Sequence, residues 1–575
     1  MAGITEDPIA EQHEVHDLNP TLGMLHLIAL GIGAIIGAGI FVITGHAAAT
    51  YAGPGVVISF AIAGAGCLFA GLCYAEYASM IPVAGSAYTY TYATLGRFMA
   101  WFIGWNLVLE YLAASSTVAA GWAGYFNDFM RYLGYPIPAA FASAPLCVAT
   151  DLHCSTYSAT ASTLDAMLHI GATGTYMNLP AVALIALVSA VLIVGVHLSA
   201  NFNNLMVAIK LCIVVLVIAV GLPHVVAANH TPFIPANTGT WGQFGFSGVL
   251  RATGVIFFAY IGFDAVSVAA QEAKNPKRDV PIGILGSLLI CTVLYMLMSY
   301  VLTGLASYKT LNVAHPVSMA VEALPATAWL GPIVNVGAIV GLASVVLVLL
   351  LGQSRIFYAM SKDGMIPPMF SEVHKRFRTP WKSTIVTGIF AALLAGVLPL
   401  DILGELVSIG TLLAFVIVCV GVLFLRVRHP AHHAHFRTPM VWCVAPLGAL
   451  LALFLMVSLP WPTWERLIVW FAVGMVFYFG HGIYGSKLST ARIIGETKWS
   501  RLVKMIGLAW MIVGSLAAVI WTGRHFDARL SILGMQVPSW AAGATAIIVC
   551  LSVGALLNLV AQLADYFRAR HGVES

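Results

Sequence analysis

Lys210 and Glu110 each stand inside a long apolar run, and a third run packs four glycines into Gly31-Ile32-Gly33-Ala34-Ile35-Ile36-Gly37-Ala38-Gly39-Ile40 with no charge. An ionisable group in the middle of a membrane-spanning helix is costly and is a functional candidate by default. Lys210 closes the stretch Asn203-Asn204-Leu205-Met206-Val207-Ala208-Ile209-Lys210, several residues inside its run, too deep for its stem to carry the ammonium easily to an interface. Such a lysine either exchanges a proton during function or tethers helices as a fixed charge. Glu110 falls mid-run in Trp105–Tyr111 and has three readings: a pocket wall facing a cation or water, a proton-carrying carboxyl, or a neutral acid bonding two helices. The glycine run also reads two ways. Glycine weakens a helix and admits close approach to the backbone, so the segment suits a helix that breaks at mid-membrane and offers N–H and C=O groups to a ligand. It equally suits a packing seam, Gly33 and Gly37 forming a small-xxx-small pair.

The elements that must position these residues are transmembrane helices. The chain has 575 residues, 60% of them hydrophobic and only 9% charged, where a soluble domain carries about 25% charged. Apolar runs of about 20 residues are the unit of a span. They fall near 25–48, 55–78, 95–121, 180–198, 204–226, 248–271, 282–305, 329–357, 383–399, 403–426, 441–459, 464–484, 503–523 and 539–563, fourteen in all. With the N-terminus inside, twenty of the 27 Lys and Arg residues lie on the cytoplasmic side. Arg131, Arg251, Lys309, Arg466, Arg524 and Arg529 lie opposite, and Lys210 is buried. The positive-inside rule therefore places both termini in the cytoplasm. Residues 1–24 are polar and acidic and do not resemble a signal peptide. One long external loop, about 122–179, holds Cys147 and Cys154, which either pair on the oxidising side or stay free. The run His429, His432, His433, His435 has no cysteine or carboxylate beside it and is read as a solvated loop rather than a metal site.

The sixth run repeats the pattern of the first. Gly254-Val255-Ile256-Phe257-Phe258-Ala259-Tyr260-Ile261-Gly262-Phe263-Asp264-Ala265 sets a glycine and an aspartate deep in an aromatic-rich span. If the first ten spans are two inverted fives, runs 1 and 6 correspond, and paired interruptions there point to a binding site at the midplane. Asp264 is read as bracing its helix, and Arg251 as interfacial.

At this point the chain resembles the amino acid–polyamine–organocation superfamily, in its cationic amino acid transporter branch with the bacterial relatives. The resemblance rests on Gly31–Gly45, Leu72–Tyr77 with Pro82 and Gly85-Ser86-Ala87-Tyr88, and Gly104-Trp105-Asn106-Leu107. Phe246-Ser247-Gly248, Phe257–Asp264, Glu272 with Asn275-Pro276, Arg355 with Asp363-Gly364, and Ser408–Leu412 extend it across residues 25–426. It implies an all-α polytopic membrane protein, a LeuT-like core of two inverted five-helix repeats (about 25–226 and 248–426), and four added helices over 441–563. Residues 1–24 and 564–575 are then cytoplasmic tails.

The implied activity is secondary active transport of an amino acid, by proton symport and alternating access. Runners-up are an exchanger without proton coupling and a receptor that binds amino acids without moving them. The backbone of Gly37, Ala38 and Gly39 is expected to hold the substrate carboxylate, since helix N-termini favour anions. The carbonyls of Ile35, Phe258, Ala259 and Ile261 are expected to take the ammonium. Ala38 stands where many relatives have Ser or Thr, so recognition there falls to the backbone. Phe258 is the candidate gate, its plainer reading being a packing phenylalanine. Lys210 is expected to reach helix 1 near Gly33, in place of a coupling cation. Glu76 is a candidate for an inner-gate ion pair with Arg97, Arg355 or Asp363, and Glu110 for the pocket. Run 8 (Ile339–Gly352) has no acid, so neutral and basic substrates stay level. Expected partners are a small-molecule amino acid, protons and the lipid bilayer of the cell membrane. No nucleic acid, cofactor, metal or catalytic group is expected, and a small membrane protein partner stays unidentified. Metal-ligand spacings, nucleophile elbows and Walker motifs are absent from the sequence.

Overall fold

The first apolar run forms a helix that stops and starts again. α1 (Met24–Ile35) ends where Ile36 turns extended (φ −70°, ψ 96°), its N–H closing the last turn on Ile32 O. The chain resumes at Ala38 through π-helical turns, Gly39–Ile43 and Ala48–Ala52, on either side of α2 (Thr44–Ala47). These elements belong to a computed structural model that describes residues 23–80, 88–89, 91–92, 97–148, 170–195, 200–263, 266, 273–377, 379–428, 436–482, 529–532 and 535–538. The expected spans 503–523 and 539–563, both tails apart from residues 23–24, His429–His435, Cys154 and Asp264 lie outside the described residues.

The remaining helices, except a short one over Pro316–Glu322 that falls between two runs, follow the apolar runs with shifted ends. α3 is Val56–Met80, α4 is Arg97–Tyr132, α5 is Leu179–Val194 and α6 is Ala200–Gly221. α7 (Gly245–Ile256) runs into a 3-10 turn, Phe257–Tyr260, then breaks at Ile261 (φ −59°, ψ 142°). α8 is Pro276–Leu305, α9 the short Pro316–Glu322, α10 Gly331–Lys362, α11 Trp381–Val397 and α12 Leu400–Arg428. α13 (Val441–Ser458) and α14 (Trp461–Phe477) complete the described set. α5 shows how local chemistry sets an end: Asn178 Oδ1 accepts the Ala181 N–H, Pro180 occupies the first turn, and Gly195 closes the helix in the left-handed region (φ 78°).

Among the described residues, seven helical stretches are long and apolar enough to cross a membrane. Four apolar helices are shorter, and two of them, Met24–Ile35 and Gly245–Tyr260, are short because the break interrupts them. α4 has 36 residues, about 54 Å at 1.5 Å per residue, well beyond the ~30 Å hydrocarbon layer. Its last turns, which the apolar pattern assigns to a loop, stay helical and carry Asp128 and Arg131. Past α4 an antiparallel pair, β1 (Leu146–Val148) with β2 (Ile170–Ala172), sets Cys147 opposite Gly171. Cys147 is disulfide-bonded.

α4 lies between α10 and α12, α3 packs on α8, and α1 sits against α6 and α8. Small residues let these backbones close in. A Cβ on Gly31 would overlap Ser287 of α8, one on Gly33 would overlap Val207 of α6, and one on Gly337 would overlap Ile213.

Candidate functional site

The two breaks face each other. A Cβ on Gly39 would overlap Ala259, and one on Gly262 would stand 2.7 Å from the backbone of Ala34. Gly262 also adopts φ +109°, so geometry and space both demand glycine there. Ile35, Ala38, Phe258, Ala259 and Ile261 are all buried, as are Gly37 and Gly39, and Val345 of α10 lies 3.4 Å from where a Gly37 Cβ would be.

α1 stops at Ile35, so its last carbonyls lack the N–H groups that another helical turn would supply. Ile32 O takes the Ile36 N–H. Gly33 O receives the ammonium of Lys210 at 3.0 Å. Ile35 O receives the hydroxyl of Tyr295 at 2.7 Å, and the same hydroxyl lies 2.8 Å from Ala259 O. One O–H serves two carbonyls, one from each break, while Phe258 O takes the Ile261 N–H at 3.0 Å. A cation at a helix C-terminus also meets the favourable end of the macrodipole. Lys210 is 2% exposed, and its stem lies 3.0 Å from where a Gly341 Cβ would be. The Tyr295 ring is held by Phe60 and Tyr260, with ring centroids at 5.3 and 5.4 Å. From α12, Ser408 Oγ donates to Val255 O at 2.8 Å, just before the second break.

Glu110 is 4% exposed on α4, one turn after Asn106, whose Nδ2 donates to Gly410 O at 2.7 Å. A Cβ on Gly410 would lie 3.7 Å from that of Glu110, which places the acid against α12. Arg251 stacks over the rings of Tyr51 and Trp241 near the start of α7.

Glu76 corrects the sequence reading. Its carboxylate accepts from Arg426 Nε at 2.7 Å and from the Thr438 N–H at 2.9 Å. Arg426 lies in the last turn of α12, which packs along α3, and is none of Arg97, Arg355 and Asp363. Arg355 is exposed, Arg97 bonds Tyr478, and Asp363 accepts from Tyr88 at 2.9 Å. Tyr295 and Val345 were not singled out in the sequence. A tyrosine amid apolar residues reads as a core aromatic, and the one signal it carries is a polar atom at membrane depth. No cluster of metal-ligand type occurs among the described residues.

Residues 22–479 match a family described as amino acid permease. The chain is 43% identical to a methylthioribose transporter of Bacillus subtilis over 82% of its own length and 95% of that protein's. It is also 43% identical to a branched-chain amino acid permease of the same organism, over 84% and 97%. A vacuolar cationic amino acid transporter of Arabidopsis thaliana is 37% identical over 72% of this chain and 64% of that protein.

Proposed function

Since the chain belongs to the amino acid permease family of the amino acid–polyamine–organocation superfamily, a family of multi-pass membrane transporters, we propose that it is a proton-coupled amino acid symporter. In this reading it works by alternating access in the cell membrane, with both termini cytoplasmic and a LeuT-like core. The carboxylate of the substrate rests on the backbone of Gly37, Ala38 and Gly39, where the second half of the first span begins. The ammonium is shared among the carbonyls of Ile35, Phe258, Ala259 and Ile261. Phe258 closes over the substrate, and Glu110 borders the pocket.

The observation that carries this reading is the bond from Lys210 Nζ to Gly33 O at 3.0 Å. It links a buried ammonium to the carbonyl end of the helix that must move. When the ammonium is charged it holds α1 against α6, and loss of its proton loosens that hold, so proton movement and helix movement are one event. A neutral, apolar substrate side chain is favoured by Val345 opposite Gly37 and by the likeness to a branched-chain amino acid permease. The likeness to a methylthioribose transporter adds methylthioribose to the solutes tried in the uptake assay.

The test uses full-length protein in liposomes with an imposed pH gradient. Inward acid-driven accumulation of a neutral amino acid is expected, and Lys210→Met should abolish accumulation while leaving counterflow measurable. Accumulation that persists in Lys210→Met removes the coupling role, and counterflow indifferent to pH in the unaltered protein assigns an exchanger instead.

A further inference from the structure

We propose that His46, clamped by Asp401 and Asn312, is a second proton-binding site and the catch that holds the outer entrance shut. The inference rests on the alternating-access reading above and concerns the opposite half of the same interrupted span.

His46 sits in α2, beyond the break, with a side chain 5% exposed. Its Nδ1 lies 3.0 Å from Asp401 Oδ1 and 3.0 Å from Asn312 Oδ1, with Thr50 Oγ1 at 3.4 Å. A carboxylate only accepts, so Nδ1 carries a proton and donates it. Nε2 is buried and has no hydrogen-bond partner among the described residues. Adding or removing a proton at Nε2 therefore breaks no bond of the protein, yet it switches a full charge on or off beside Asp401. That is the arrangement a titrating latch requires.

Charges of both signs surround the ring, and the one that bonds it directly is acidic. Asp401 lies in the first turn of α12, and Glu405 stands one turn further along the same helix. Glu405 is itself fixed by Thr463 Oγ1 at 2.7 Å and Arg466 Nη1 at 3.0 Å, both from α14. From the histidine's own span, Tyr51 offers a ring edge-on at 5.6 Å, and Arg251 of α7 is held over that tyrosine. Lys309, near Asn312, is exposed, and Glu322 of α9 packs against Gly331. Charged His46 thus ties the outer half of the first span to α12. Neutral His46 keeps one hydrogen bond and loses the ionic part. Lys210 and His46 then brace the two halves of one broken helix, each through a group that a proton switches.

The experiment places a cysteine at Ala49, half-buried on the same segment. Its labelling by a membrane-impermeant maleimide is followed from pH 5 to pH 10 in liposomes of the full chain. Rates are divided by those of Tyr135→Cys, an exposed site, which corrects for ionisation of a solvated thiol, and the His46→Gln background reports the remaining pH dependence of the thiol at position 49. Normalised labelling should rise roughly tenfold as His46 loses its proton, the scale of a close charge pair. His46→Gln and Asp401→Asn should label fast at every pH, and His46→Arg slowly at every pH. A flat profile in the unaltered latch, or an unchanged slope in His46→Gln, overturns the proposal. Amino acid uptake is measured in parallel. Flat labelling with uptake intact removes the catch alone, whereas the expected labelling without uptake leaves the catch standing and removes the transport reading.

Discussion

Tyr295 does more than its residue type suggests. Its hydroxyl reaches Ile35 O at 2.7 Å and Ala259 O at 2.8 Å, so both breaks hang on one proton donor. Hydrogen bonds between helices in lipid contribute about 0.6 kcal/mol on average and up to about 1.7. Tyr295→Phe should therefore lower stability by about 0.6–1.7 kcal/mol, read as a lower melting temperature in detergent. On the proposed site the freed carbonyls would then face the substrate ammonium alone, and a saturating amino acid should recover more of that loss than it adds to the unaltered protein. A variant that melts lower with the same ligand shift would make Tyr295 a mere brace. Lys210 was legible from sequence because charge in an apolar run is conspicuous. Tyr295 was not, because half the chemistry of a tyrosine is hydrocarbon.

At the scale of the element, the breaks matter more than the helices. Gly262 holds φ +109° with the Ala34 backbone 2.7 Å from any added Cβ. Gly134 holds φ +85° with nothing nearby. Alanine at either site meets backbone strain of about 1–3 kcal/mol, but only at Gly262 does it also push the two breaks apart. Gly262→Ala should lose substrate binding outright, while Gly134→Ala should melt slightly lower and bind normally. Equal binding by both would mean the close approach at Gly262 is dispensable. Apolar run length and glycine content placed the longer described helices and both interruptions, but not the short α9, which falls between two runs. They missed the last turns of α4, because a helix leaving the bilayer turns polar and stops looking like a span. They also missed the Arg426 partner of Glu76, which depends on how α12 lies along α3.

Over the whole molecule, α14, one of the described helices beyond the first ten runs, is joined to the core by specific contacts. Trp105 of α4 and Trp470 of α14 stack at 4.8 Å and exchange hydrogen bonds, each indole N–H donating to the other's carbonyl at 2.8 and 2.9 Å. Phe102 and Phe471 stack beside them at 4.1 Å. Trp470→Phe keeps the ring and deletes one bond, so it should cost about 0.6–1.7 kcal/mol of stability and leave the uptake KM unchanged. A shifted KM would show that α14 moves with transport rather than supporting it. Sequence alone marked these helices only by number and hydrophobicity, since a stack between runs 3 and 12 has no local signature.

The carbonyl end of α1 has a last consequence. Gly33 O and Ile35 O are satisfied by side chains from α6 and α8, so α1 cannot swing away without both oxygens finding new donors. In a bilayer, which supplies no donors of its own, the replacements are ordered water or, at Ile35 O, the substrate ammonium of the proposed site. On the proposed cycle, movement of this helix then calls for wetting of the cavity beside Gly33 O, so lowered water activity should slow turnover.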